Sequence, residues 1–278
     1  MICLVRYAEI ALKGKNRSEF EKKLVQNIKA SLKFTGVRAK IKRIPGRLLL
    51  EAEQEPNLRK VFGIVSYSPC IRVEVKIEVL CAEALKLAEK QEKTNTFRIT
   101  AKRLTKELSF SSQELNKQIG AFIVEKKGWK VALDKPELDI GIEIIGDEAF
   151  LFTKTISCFG GLPVGVEGKV LALVSDEKSF LATLLMMRRG CAVEIVSLSN
   201  VNYSLLQAFY PHKLVLHKIK KIPELDDLAK KLKCIALIVP DTLSDFKEHP
   251  MNISVLRPLI AFSEEEIRNE IEKYKNIL

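Results

Sequence analysis

Apolar spacing divides the chain into three stretches with different grammar. Residues 2–8 read as a short strand. Over Arg17–Phe34, Phe20, Leu24, Ile28 and Leu32, with Val25 alongside, recur at the three-to-four residue spacing of one helix face. Two strands, Lys40–Ile44 and Arg47–Glu53, are expected around the Pro45-Gly46 turn, then a helix through Leu58–Phe62 and a strand over Ser66–Glu74. Strand, helix, two strands, helix, strand is the ferredoxin-like order.

The second stretch predicts a helix over Cys81–Lys93, a strand over Thr96–Lys102 and a serine-capped helix over Ser112–Lys127, with Leu115, Ile119, Phe122 and Ile123 inward. Val131 and Leu133, then Leu138, Ile140, Ile142 and Ile144, then Phe150 and Phe152 alternate, which predicts a sheet packed on those helices. Beyond the Gly160-Gly161-Leu162-Pro163 hinge, strands are expected at Val170–Val174, Val193–Leu198, Lys213–Ile219 and Cys234–Val239. Helices are expected at Lys178–Arg189, Leu225–Lys233 and Ser263–Tyr274. Apolar strands alternating with helices imply a doubly wound parallel α/β sheet. The fold expected is thus α+β and α/β multidomain, divided at 1–72, 73–165 and 166–278.

A chain of 278 residues, 47% apolar and 29% charged, is long enough for two or three separate cores. Its longest apolar runs, such as Val170–Val174 and Ile235–Pro240, are far short of the roughly 20 residues that span a bilayer. Met1–Arg6 has no pattern of a secretory leader, so a cytoplasmic protein without membrane contact is expected. Six cysteines (Cys3, Cys70, Cys81, Cys158, Cys191 and Cys234) include no Cys-x-x-Cys pair and are read as buried free thiols. His212 and His217, five apart in a strand-like run, would point to opposite faces, so no metal site is expected.

Location makes the charge informative. Lys and Arg outnumber Asp and Glu by 16 to 6 in residues 1–72, balance at 14 to 14 in 73–165, and stand at 16 to 15 in 166–278. A basic excess gathered in one segment favours a polyanion partner.

Two runs could meet phosphate. Lys13, Lys15, Asn16 and Arg17, around Gly14, precede an amphipathic helix, where cations and the helix N-terminus suit an anion. Arg38, Lys40, Lys42, Arg43 and Arg47 are read as extending that surface. In Phe97–Arg103, alternation sets Arg98, Thr100 and Lys102 on one strand face, with Arg103 following and Ser112 and Asn116 beyond. Taken alone, the first run reads as a solvated loop and the second as an edge strand with a polar face.

Phe97–Gly165 resembles a complete THUMP domain, an RNA-binding module of tRNA-modifying enzymes. Tyr7–Leu32 (YAEIALKGKNRSEFEKKLVQNIKASL) and Gly160–Lys169 (GGLPVGVEGK) are similar to the tRNA 4-thiouridine synthetase (ThiI-type tRNA sulfurtransferase) family, although Ala8 stands where that family has glycine. Met186–Glu194 and Val255–Ile260 resemble it as well. The resemblance implies binding of the tRNA 3′ acceptor end through the THUMP region, an adenine-nucleotide-hydrolase-like third domain, and often a homodimer. Active members adenylate uridine 8 with ATP before sulfur displaces AMP.

The catalytic motifs depart from that pattern. Where the family has its ATP-gripping PP-loop, Ser-Gly-Gly-x-Asp-Ser, this chain reads Ser175-Asp176-Glu177-Lys178-Ser179-Phe180. Both glycines, which let backbone N–H groups converge on a phosphate, are replaced by carboxylates that repel one by about 1 kcal/mol per close pair even in a water-like dielectric. No sulfur-transfer cysteine segment is found, Cys234 being read as a core thiol, and no rhodanese domain is expected.

The leading expectation is therefore a tRNA-binding protein with no catalytic residues and no cofactor of its own, serving as a tRNA-stabilising factor or presenting tRNA to a separate modifying enzyme. The alternatives are an active 4-thiouridine synthetase using ATP at a divergent site or with a partner chain, and a protein-interaction scaffold.

Overall fold

The computed structural model describes residues 1–91, 94–105 and 110–278. By contact density it divides into two units. One comprises Met1–Arg6, Arg38–Pro56 and Ser66–Ser157; the other comprises Tyr7–Val37, Asn57–Val65 and Cys158–Leu278. No described helix is long and apolar enough to cross a membrane.

The first unit is built on a nine-stranded sheet. Its strands are β1 (Ile2–Arg6), β2 (Ala39–Ile44), β3 (Arg47–Ala52), β4 (Ser66–Glu74), β5 (Thr96–Arg103), β6 (Lys130–Val131), β7 (Leu138–Ile145), β8 (Glu148–Phe152) and β9 (Ile156–Ser157). They run in the order β2-β3-β1-β4-β8-β7-β5-β6, with β9 paired to β4. The first four strands follow the ferredoxin-like order. β4 pairs with β1 through Ser66–Cys70 and with β8 through Ile71–Glu74, so one strand carries the sheet across residue 72. Helices α2 (Ile77–Glu89) and α3 (Ser112–Lys127) bury Leu80, Ala84, Leu115 and Ile119 in one core with Phe97, Ile99, Ile140 and Ile142. Each buried leucine, isoleucine and phenylalanine there contributes about 1.5–3 kcal/mol of transfer free energy.

The second unit holds α1 (Arg17–Phe34), preceded by short 3₁₀ turns at Glu9–Leu12 and Gly14–Asn16. Its strands are β10 (Lys169–Leu173), β11 (Ala192–Ser197), β12 (Leu216–Lys218), β13 (Ala236–Ile238) and β14 (Ser254–Leu256). They form an all-parallel sheet in the order β12-β11-β10-β13-β14. Helices α4 (Glu177–Arg188), α5 (Ser204–Phe209), α6 (Glu224–Leu232) and α7 (Glu264–Lys275) complete it. The topology turns outward in both directions from β10 and β13. The carboxyl ends of that pair are therefore the switch point at which open α/β sheets hold ligands.

Four expectations are corrected. Leu58–Phe62 forms turns rather than a helix. Five residues are too few to offset helix nucleation, and Asn57 Oδ1 takes the Arg59 N–H at 3.2 Å in a side-chain turn instead. The helix expected over Cys81–Lys93 starts earlier, at Ile77, and ends at Glu89; Lys93 lies outside the described residues. His212 lies outside any strand, because the Gln207 side chain donates to His212 O at 2.7 Å and accepts from Leu214 N at 2.8 Å, leaving only Leu216–Lys218 to pair with β11. Leu133 is not in a strand either, since β6 stops at Val131. The sequence reading also missed α5, whose six residues show too short a period to read.

Candidate functional site

Gly14 has φ +51°, a left-handed conformation that suits glycine, and it bends the chain between the two 3₁₀ turns into α1. Lys13 donates to Glu167 at 3.1 Å and lies 4.8 Å from the Phe20 ring centroid. Lys15 and Asn16 are exposed; Asn16 stands at the N-cap with its side chain unused for capping. Arg17 is committed locally. It donates to Glu21 at 2.8 Å and to the Tyr7 hydroxyl at 2.8 Å, while Tyr7 itself donates to Glu21. Burial and the Glu21 carboxylate raise the Tyr7 hydroxyl above its ordinary pKa.

In the first unit, Arg47 is withdrawn from the surface. Its side chain is 11% exposed, and its Nε donates to Glu143 at 2.7 Å, with Arg6 on the other carboxylate oxygen at 2.6 Å. On β5, Arg98 donates to Leu133 O at 2.7 Å and pairs with Asp139, whose other oxygen accepts from Thr100 at 2.7 Å. Lys102 is exposed and forms no ion pair with a described residue. Arg103 donates to Phe110 O at 2.6 Å. Asn116 Oδ1 accepts the Ala101 N–H at 2.8 Å; β6 stops after two residues, so α3 supplies the partner a longer strand would have supplied. Ser112 opens α3, but the cap is Ser111, in a reciprocal box with Glu114. The backbone and hydroxyl of Ser111 lower the Glu114 carboxyl.

The expected nucleotide loop sits at the switch point, after β10, and its polar groups bond to one another. Ser179 Oγ accepts from the Ser175 N–H at 2.9 Å and from the Asp176 N–H at 3.0 Å, and Asp176 accepts from the Ser179 N–H at 2.8 Å. Three of the five N–H groups in Ser175–Ser179 are thereby taken, and Ser179 is buried. Lys178 reaches across to Asp245, beyond β13, at 2.5 Å, with Glu264 at 3.4 Å; Glu177 pairs with Lys275 at 2.7 Å. Lys178 and then Thr242 hold the Asp245 carboxyl below the usual carboxylate range. As these side chains stand, they do not fit a triphosphate: the cation is spent and two carboxylates flank the bend.

Sequence reasoning missed the polar cluster beyond β13, where buried Asp241 accepts from Arg257 at 3.2 Å and meets His249 Nε2 at 3.0 Å. Arg257 in turn lies 4.6 Å from the Phe246 ring centroid. It also missed Glu143 as the carboxylate between two arginines, although the polar face of β7 (Asp139, Gly141, Glu143) was a usable signal. Burial raises the thiols of Cys3 and Cys234 to about 11 and those of Cys70 and Cys158 to about 12, so none of these four is activated. No group of residues able to hold a metal occurs among the described residues.

Three family models match in sequence order: the ThiI ferredoxin-like domain over residues 2–68, the THUMP domain over 74–154, and Thiamine biosynthesis protein (ThiI) over 165–224. A probable tRNA sulfurtransferase of Methanocaldococcus jannaschii is 33% identical over 293 aligned positions, covering 100% of this chain and 74% of the relative. The chain belongs to the tRNA sulfurtransferase family. A probable tRNA sulfurtransferase of Thermococcus kodakarensis is 34% identical, but the match covers 80% of this chain and only 58% of that relative. Among solved structures, a Pyrococcus horikoshii protein superposes with a TM-score of 0.88 at 31% identity, covering 99% of both chains. A 4-thiouridine synthetase–RNA complex with bound ATP superposes with a TM-score of 0.79 at 26% identity, covering 99% of this chain and 85% of the other. Within this family the fold is a ferredoxin-like N-terminal part, a THUMP domain and a C-terminal parallel α/β part.

Proposed function

We propose that this member of the tRNA sulfurtransferase family binds tRNA, engaging the 3′ acceptor end through its THUMP region, and does not adenylate it. Its place of action is the cytoplasm, and its segments act as 1–72, 73–165 and 166–278. Support for RNA as the partner comes from the THUMP match, the basic first quarter and the likeness to a synthetase solved with RNA. Such a protein would stabilise tRNA or deliver it to a separate modifying enzyme.

The observation that carries the second half is the self-bonded loop. Ser179 Oγ occupies the N–H groups of Ser175 and Asp176, and Lys178 is held by Asp245 and Glu264. A phosphate entering there would have to break those bonds and sit beside Asp176 and Glu177. The relatives' names and the ATP-bound structure favour the other reading, an active 4-thiouridine synthetase. The test is calorimetric titration of ATP with tRNA present, together with assay of AMP release. The proposal expects tRNA binding, no saturable ATP heat and no AMP. Saturable ATP binding with tRNA-dependent AMP release would establish the enzyme instead.

A further inference from the structure

A basic stripe runs along α1. Lys22, Gln26, Lys29 and Lys33 are all exposed and follow the i, i+4, i+7, i+11 spacing of one helix face, while Phe20, Leu24, Ile28 and Leu32 are buried. At about 1.5 Å rise per residue the three lysines span about 16 Å. None of the three pairs with a carboxylate among the described residues, and Glu19 is the carboxylate exposed on the flank one turn before Lys22.

The stripe ends at a cavity of about 370 Å³ lined by Ala30, Lys33, Phe34, Pro211, His212 and Lys213, all within the second unit. Phe34 is 64% exposed at the end of α1, so its ring is not spent on the core. The opposite wall is preset. Gln207 holds the backbone on both sides of Lys213, through His212 O and Leu214 N, and the His212 ring meets Tyr210 edge-on at 6.3 Å. An exposed aromatic ring that shares a groove with two lysines and a histidine, at the end of a row of cations, is the chemistry that tracks a single strand of nucleic acid.

We propose that the α1 stripe and this groove form an RNA-binding surface. Phosphates of one strand lie along Lys22, Lys29 and Lys33, an unpaired base stacks on Phe34, and Lys213 and His212 face its phosphate and sugar. The surface lies on a different unit from the β5 strand and is assigned here to RNA rather than to acidic protein, because carboxylates would satisfy the lysines but leave the exposed Phe34 ring unused. The inference rests on RNA being the partner of this chain.

The test is equilibrium binding of an unmodified tRNA transcript to the full chain across a salt series, with Phe34→Ala and a Lys22→Ala, Lys29→Ala, Lys33→Ala triple variant. All four side chains are exposed, so both variants should melt with the wild type. Phe34→Ala should weaken binding about five- to a hundredfold, the effect of one stacked base. The triple variant should reduce the slope of log K against log salt by about two to three, at roughly 0.7–0.9 per phosphate contact. Ultraviolet cross-linking should place an adduct on the peptide holding Phe34 or His212. Wild-type tRNA binding with both variants matching it in affinity and slope would overturn this surface while leaving the RNA reading intact. Failure of the wild type to bind any tRNA would remove both.

Discussion

Arg47 Nε donates to Glu143 Oε2 at 2.7 Å, joining β3 to β7 across 96 positions of chain. Arg6 takes the other oxygen at 2.6 Å, and the Glu143 side chain is only 7% exposed. Two strands of the ferredoxin-like part are thereby tied to a THUMP strand through one carboxylate. An arginine counted by the sequence among surface cations is in fact an internal one.

Breaking that group should cost more than its hydrogen bonds alone suggest, because two largely buried guanidinium groups would lose their counter-charge. Glu143→Gln is expected to destabilise the chain by about 3–5 kcal/mol, read as a shift in urea midpoint. Although burial opposes ionisation, Arg6 and Arg47 hold the Glu143 carboxyl below its ordinary value. Its contribution is therefore present above the unfolded pKa and lost as pH falls through the lower folded one. Wild type should lose stability between neutral pH and about pH 3 that Glu143→Gln does not lose, and parallel acid profiles of the two would contradict this.

Ser179→Ala removes the acceptor of the Ser175 and Asp176 N–H groups and half of the α4 capping box. A loss of about 1–2 kcal/mol is expected in chemical denaturation. An unchanged midpoint would mean that the loop is not held by this hydroxyl.

On β5 the exposed Lys102 and the neutralised Arg98 should behave differently. If this face carries RNA, Lys102→Ala should lower the salt slope of tRNA binding by roughly 0.7–0.9. Asp139→Asn should raise affinity by freeing the Arg98 guanidinium. Both measurements need only a salt titration of each variant, and a slope indifferent to Lys102 would remove this strand from the interface.

The raised thiol pKa values predict slow alkylation. With the thiols of Cys3, Cys70, Cys158 and Cys234 at about 11 to 12, the thiolate fraction at neutral pH is reduced about a hundredfold or more from that of a free cysteine. Modification by iodoacetamide, followed by mass spectrometry, should keep pace with unfolding. Rapid labelling of Cys234 in the folded chain would instead point to an activated sulfur.

Much of the architecture was legible because it depends on local periodicity. The helix expected over Arg17–Phe34 and the serine-capped Ser112–Lys127 appear with those same bounds. The apolar strands of the third stretch form the expected parallel sheet. Misreadings fell where a few residues serve distant partners, as at Leu58–Phe62, where buried Leu58, Val61 and Phe62 imitate a helix face. The candidate site was legible as residue type and charge, but not as availability. Arg17, Arg47, Arg98, Arg103 and Asn116 were chosen for chemistry that the fold applies to Glu21, Glu143, Asp139, Phe110 and Ala101.

The sequence by itself determined the longer helices and the apolar strands, where the basic excess lies and that the loop after β10 lacks glycine, because each depends on residue type and short-range spacing. Tertiary structure alone decided which cations remain free and how the loop is closed. An ion pair such as Arg47–Glu143 or Lys178–Asp245 exists only when sheet order brings distant residues within hydrogen-bond reach, and no local pattern encodes that distance.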